Sequence, residues 1–203
     1  DRRPDKHDRQ DDEHQHGHQV EHALGDHRRE RGRRAQSLLA RQQIRAQQVA
    51  DTRGQPPNAA LLAATLPDVR LLVGSFDDAT FADADLIAIS PGVRKDHPAI
   101  VAAVARGAEL VGDIELFARA LPPEQKVLAI TGSNGKTTVT ALTATLCRAA
   151  GLDTVVAGNI GDAVLDVLMP RAGEAQPPAW PDVFVLELSS FQLETTSSLL
   201  PIA

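Results

Sequence analysis

Residues 126–138 read Lys-Val-Leu-Ala-Ile-Thr-Gly-Ser-Asn-Gly-Lys-Thr-Thr, and this stretch decides the fold. Val127 to Ile130 is a short apolar run of the kind a buried parallel strand carries. Gly132 and Gly135 interrupt it. From Val139 the apolar residues Val139, Leu142, Leu146 and Ala149 recur at helical spacing. Strand, glycine loop and helix in that order predict a phosphate cradle. Glycines let backbone N–H groups converge on an anion, and the helix N-terminus adds partial positive charge. Lys136 is expected to reach the outer phosphates of a nucleotide, and the Thr137 hydroxyl to sit where a phosphate-bound Mg²⁺ needs an oxygen. The usual loop has four residues between its first glycine and the Gly-Lys pair. Here Ile130 stands at that first position and Gly132 follows two residues later. A plain glycine turn with a surface lysine would not explain why the loop, the lysine, the paired threonines and both flanking periodicities agree.

The 203 residues allow one or two domains. A net charge of −6 gives no reason to expect nucleic acid or a membrane surface as partner. The two longest apolar stretches, 98–112 and 139–150, are interrupted by charges and fall short of the roughly 20 residues a span needs. No basic-apolar-small signal pattern opens the chain. The one cysteine, Cys147, excludes an internal disulfide and fits a reducing cytoplasm. It lies one position from the helix stripe, as a packed thiol would.

Residues 1–48 do not match the rest of the chain. Six of the seven histidines fall within residues 7–27, and residues 1–34 offer only Val20, Ala23 and Leu24 as apolar residues. Basic residues number 11 against 9 acids in this segment, but 10 against 18 beyond it. Such a stretch buries too little surface to offset the entropy of ordering, so disorder is the expectation. Residues 34–48 have the composition of a helix. His14, His16, His18 and His22 could hold a transition metal weakly, but a solvated tail, or translation of a shifted frame, accounts better for the composition.

From residue 49 the pattern is strand and helix in alternation. Val49-Ala50-Asp51 resembles the second strand of a dinucleotide-type fold, where an acid or its neighbours meets a ribose or base. A short helix over 59–66, strands over 69–73 and 85–89, a helix from His97-Pro98 through Arg106, a strand over 109–111 and a helix over 113–120 capped by Asp113 complete this part. Ser90-Pro91-Gly92 ends one strand at the position where ligands dock in open α/β sheets, or is simply a turn. Leu121-Pro122-Pro123 reads as a linker. The strand and glycine-rich turn that open such a domain are not found in residues 1–48.

Beyond the glycine loop, residues 153–157 read as a strand ahead of Gly158-Asn159-Ile160-Gly161. There Asn159 presents an amide to a ligand or serves the turn. Residues 170–181 are rich in proline and alanine and read as a surface loop. Val183-Phe-Val-Leu-Glu187 is a buried strand with an acid at its end, the place where a P-loop enzyme's carboxylate meets Mg²⁺ or its water. Burial of Glu187 without such a partner would be unfavourable. Ser189 to Glu194 follows as a polar, ligand-facing turn.

Together, Thr131–Thr138, Val111-Gly-Asp-Ile-Glu-Leu-Phe117, Gly158–Gly161, Leu186–Ser198, Asp51-Thr-Arg53 and Ser90-Pro-Gly92 resemble the D-glutamate-adding branch of the Mur ligase family. The resemblance covers about residues 49–203. It implies an α/β chain of two incomplete parallel-sheet domains. A Rossmann-like UDP-binding part spans 49–122 and a P-loop ATP-binding part spans 123–203, both preceded by the polar segment 1–48. It further implies ATP and Mg²⁺ as cofactors, UDP-MurNAc-L-alanine and D-glutamate as substrates, and a monomer working in cytoplasmic peptidoglycan synthesis. By match, Gly132, Ser133, Asn134, Gly135, Lys136, Thr137 and Thr138 would bind ATP, with Lys136 and Glu187 catalytic and Thr137 and Glu187 on the metal. Asp51, Thr52, Arg53, Ser90, Gly92, Asn159 and Ser189 would bind the UDP-sugar substrate. The family's third domain and first uridine loop find no counterpart, so the expectation is an inactive, marginally stable chain. Other Mur ligases and folylpolyglutamate synthases share the glycine loop but not the Ser-Ser-Phe-Gln stretch. A nucleotide-binding module without catalysis, and a metal-binding arm on an α/β scaffold, are the competing classes.

Overall fold

The computed structural model describes residues 48–173 and 178–203. The histidine-rich stretch and the helix expected before residue 48 lie outside the described residues. Strand β1 (Gln48–Asp51), helix α1 (Ala59–Thr65), β2 (Arg70–Val73), β3 (Leu86–Ile89), α2 (Pro98–Ala105) and β4 (Glu109–Gly112) form the first unit. Then come α3 (Asp113–Ala120), β5 (Lys126–Ile130), α4 (Lys136–Ala149), β6 (Thr154–Gly158), α5 (Val164–Gly173), β7 (Val183–Glu187) and α6 (Ser190–Leu193). Every pairing between these strands is parallel, as alternating strands and helices require.

The first unit does not make one sheet. Its strands pair two and two, β1 with β2 and β3 with β4. Phe81, Ile87, Ile89, Ala99, Ile100, Ala103 and Ala108 are its buried cluster, with Ala50 of β1 packed against it. Helix α2 is set at its start by His97, whose Nδ1 accepts the Ala99 N–H, and by Pro98 at the first helical position. The β1–α1–β2 hairpin of elements is thinly held: α1 buries no residue, and Leu61, Leu66 and Val73 are each more than half exposed.

The second unit is a three-stranded sheet in the order β5-β7-β6, so the strand latest in sequence is central. All five residues of β7 are buried, which is why Val183-Phe-Val-Leu-Glu187 reads as an unbroken apolar run up to the acid. Phe184 packs edge-to-face on Phe117, with ring centroids 5.1 Å apart. Each fully buried ring contributes roughly 1.5–3 kcal/mol. Ile202 N donates to Val127 O at 2.8 Å and Ala129 N to Ala203 O at 2.9 Å, so the last residues lie along the free edge of β5.

Four local expectations are corrected. Helix α3 belongs by packing to the second core, where Ile114, Phe117 and Leu121 meet Val127, Phe184 and Leu186; the Pro-Pro linker marks where the helix ends, not which core it joins. Asp113 is inside α3. The cap is Gly112, which makes no side-chain cap bond. Helix α5 runs on through residues 170–173, which composition assigns to a loop. On α4 the buried residues are Thr140 and Ala144, while Val139, Leu142 and Leu146 are at least half exposed. Small residues let the helix sit close on the sheet, and the larger apolar stripe faces out. Cys147 is half-buried.

Candidate functional site

The parallel register brings three strand ends to one edge of the second sheet. Ile130 of β5 and Gly158 of β6 both stand opposite Glu187 of β7. Each strand then feeds a turn that carries candidate groups. After β5 the chain enters Thr131–Gly135, which is exposed, with Gly135 left-handed (φ +75°) as the residue preceding α4. No side chain caps α4, so its first N–H groups are free of a side-chain acceptor, as an anion site at a helix start needs. Lys136 is half-buried and its Nζ donates to Gly132 O at 2.8 Å, folding the ammonium over the loop. Thr137 and Thr138 are exposed in the first turn.

Glu187 is 1% exposed. Its Oε1 accepts from Asn159 Nδ2 at 2.8 Å, and the Asn159 N–H donates to the Glu187 carbonyl at 2.9 Å. Its Oε2 is buried and has no hydrogen-bond partner among the described residues. A buried, half-satisfied carboxylate is unfavourable on its own, and a cation or a hydrogen-bond donor would complete it. The turn after β6 is built around this contact. Gly158 has φ +106°, and a Cβ there would lie 2.4 Å from the Glu187 carbonyl oxygen, so only glycine allows the approach.

A second place is a cavity of about 440 Å³ between the two units. The Ser90–Asp96 turn, the Gly112–Asp113 corner and Phe191, Gln192, Glu194 and Thr195 line it. Lys95 and Glu194 form an ion pair across it at 2.6 Å. Ser90 and Gly92 are therefore brought together with the segment following Glu187. Ser189 is a half-buried N-cap: it accepts the Gln192 N–H, while the Gln192 amide oxygen accepts from Ser189 N at 3.0 Å. Asp51, Thr52 and Arg53 do not border this cavity. Asp51 instead accepts Arg53 Nε at 2.9 Å and the Arg53 N–H at 2.8 Å, and the Arg53 guanidinium holds its carboxyl down at about 2.

Two family profiles match this chain in sequence order. "Mur ligase MurD-like, N-terminal domain" matches residues 32–112, reaching back into the segment that composition sets apart, and "Mur ligase middle domain" matches 130–202. The chain belongs to the Mur ligase family. It is 57% identical over 152 residues to the UDP-N-acetylmuramoylalanine–D-glutamate ligase of Chromobacterium violaceum, covering 74% of this chain and 33% of that protein. It is 56% identical over 164 residues to the ligase of the same name in Thiobacillus denitrificans, covering 74% and 34%. The chain thus spans about a third of the length of these relatives. A solved UDP-N-acetylmuramate:L-alanyl-gamma-D-glutamyl-meso-diaminopimelate ligase from Neisseria meningitides matches with a TM-score of 0.42 and 21% identity, over 69% of this chain and 44% of that one.

In this Mur ligase chain two groups escaped the sequence reading. Gln192 is buried, caps α6 and donates to the Asp113 carboxylate at 3.1 Å. Glu115 is 1% exposed and accepts Ser197 N–H at 2.7 Å, Ser198 N–H at 2.8 Å, Ser198 Oγ at 2.6 Å and Arg119 Nε at 2.7 Å. Burial pushes the Glu115 carboxyl up, but the Ser198 hydroxyl, the two N–H groups and Arg119 together bring it down to about 2. The signal for Gln192 is the Ser-x-x-Gln capping box within residues 189–192. Glu115 has no comparable local signal. No helix of the described residues is long and apolar enough to cross a membrane.

Proposed function

We propose that the protein of which this chain represents the matched part joins D-glutamate to UDP-N-acetylmuramoyl-L-alanine at the expense of ATP, in cytoplasmic peptidoglycan synthesis. The observation that carries this reading is the convergence at one sheet edge of a glycine loop with its lysine, a buried glutamate with one unpartnered oxygen, and an asparagine that fixes that glutamate. The reaction needs a carboxylate made electrophilic. The alanyl carboxylate takes the terminal phosphoryl group of ATP as the bond to the ADP oxygen breaks. The D-glutamate amine then forms the amide bond by displacing phosphate from the acyl phosphate.

The residues suit that chemistry. The loop Gly132–Thr138 offers backbone N–H groups to phosphates, and Lys136 needs only to swing from Gly132 O to balance charge on the transferred group. Thr137 and Glu187 would hold Mg²⁺. The orphaned Glu187 Oε2 fits a hard cation that takes few protein ligands and several phosphate and water oxygens. When bound, Mg²⁺ would neutralise phosphate charge during transfer. Asn159 fixes the Glu187 carboxylate and can present its free amide valence to substrate. Ser90, Gly92 and Ser189 lie at or beside the cavity that would take the UDP-sugar. Asp51, Thr52 and Arg53 would meet its nucleoside end from β1.

Calorimetric titration of the purified chain with Mg-ATP, and separately with UDP-N-acetylmuramoyl-L-alanine, tests the reading. Saturable binding of both is expected, with Mg-ATP binding lost in Lys136→Ala. Absence of Mg-ATP binding in the unaltered chain would overturn it.

A further inference from the structure

Helix α3 occupies the stretch between the two family matches, yet its acidic side chains hydrogen-bond the segment after Glu187. That segment has little apolar anchoring. Phe191 is 65% exposed and Leu193 is 41% exposed, so only Gln192 of α6 is buried. What holds it is the β4–α3 corner. Gly112 passes so close that a Cβ there would meet Thr195 Oγ1 at 2.3 Å. Asp113 takes the Gln192 amide, and Glu115 takes two successive backbone N–H groups and a hydroxyl from Ser197 and Ser198. Arg119, itself paired to Glu109, holds the Glu115 carboxylate from behind. The segment so gripped supplies one wall of the 440 Å³ cavity and starts two residues past Glu187.

We infer that Glu115 is a positioning residue: it fixes residues 189–198 against the β4–α3 corner and so sets the cavity wall that faces Ser90 and Gly92. The cavity's role as a substrate site rests on the ligase reading; the grip itself does not. A carboxylate is suited to this task because its two oxygens accept several donors at once, which an amide cannot do without turning a donor toward an N–H. The ATP loop leaves a different strand, β5, and none of the hydrogen bonds of Glu115 reaches it, so the two sites should respond differently.

The test uses the whole chain with Glu115→Gln and, as a milder variant, Ser198→Ala. Amide hydrogen exchange is read residue by residue, and ligand binding is read by calorimetry. Glu115→Gln should speed exchange across 189–198 about tenfold, while Val183–Leu186 of β7 changes less than twofold. It should weaken UDP-N-acetylmuramoyl-L-alanine about tenfold and Mg-ATP less than twofold. Uniformly faster exchange throughout the chain would reduce Glu115 to a general stabiliser and overturn the proposal, as would unchanged exchange in 189–198. Should Glu115→Gln not fold, Ser198→Ala must show the same local pattern at about threefold, and its absence there would overturn the proposal equally. If the unaltered chain binds neither ligand, the ligase reading falls, and the exchange pattern alone still decides the grip.

Discussion

Replacing Glu187 by glutamine should make the ligand-free chain more stable while removing its response to Mg-nucleotide. Glu187 is 1% exposed, and its Oε2 meets no donor among the described residues. In Glu187→Gln the Oε1 position still accepts from Asn159 Nδ2, so the one existing bond is kept. What changes is that a buried half-satisfied charge becomes a buried half-satisfied neutral group. An unsatisfied neutral group costs about 1–3 kcal/mol, and a charged one more, so the net gain is about 1–2 kcal/mol. For a chain of this size each kcal/mol moves Tm by roughly 2–4 °C, which predicts a rise of about 4 °C in thermal melts without metal or nucleotide. Ligand at a hundredfold excess over its Kd should stabilise the parent chain by about 2.7 kcal/mol, and the variant by far less. Melts followed by circular dichroism, with and without Mg-ATP, give both numbers. A variant that melts lower than the parent without ligand, or that keeps the full Mg-ATP shift, would refute the idea that Oε2 is held open for a cation.

Gly158→Ala should destabilise the chain by about 2 kcal/mol or more in urea denaturation, because it meets both the left-handed backbone (φ +106°) and the Glu187 carbonyl 2.4 Å away. Leu142→Lys should be neutral within about 0.5 kcal/mol in the same assay and should raise solubility, since that side chain is 57% exposed on α4. Acid should weaken the grip on 189–198. The Glu115 carboxyl, held at about 2 against an ordinary 4.5, adds stability that is complete above about pH 5 and is lost as pH falls toward 2. Allowing for solvent screening this is about 2 kcal/mol, and it should be missing from the pH profile of Glu115→Gln.

The candidate site was legible in sequence where its information is local. The glycine loop, Lys136 and the acid ending β7 are each spelled within a dozen residues, because a buried parallel strand is a continuous apolar run and its carboxyl end is where the pattern breaks. That the strand carrying Glu187 pairs on one side with β5 and on the other with β6 follows from no local pattern, yet it is this pairing that sets Asn159 against the carboxylate. The helix after the loop misleads for a related reason. Periodicity identifies α4 and its apolar stripe correctly, but it cannot say that a close helix–sheet approach will choose Thr140 and Ala144 over Val139, Leu142 and Leu146.

The contacts between α3 and the segment after β7 lay furthest from what the sequence could say. Asp113 and Gln192 are 79 residues apart, and Glu115 and Ser197 are 82 apart. An acid in the first turn of a helix has a sufficient local explanation in the helix dipole, so nothing in the pattern asks for another. That explanation would leave Glu115 exposed and exchangeable. The structure has it at 1% exposure with four donors within 2.8 Å, an arrangement the dipole does not require. Moving α3 into the second core is what makes this possible: once Ile114 and Phe117 are buried beside Phe184, the acids on the adjoining face are set against the segment that leaves β7. The same packing that stabilises the sheet carrying the glycine loop therefore sets the wall of the neighbouring cavity, and a substitution in α3 should be felt at the cavity before it is felt at the loop.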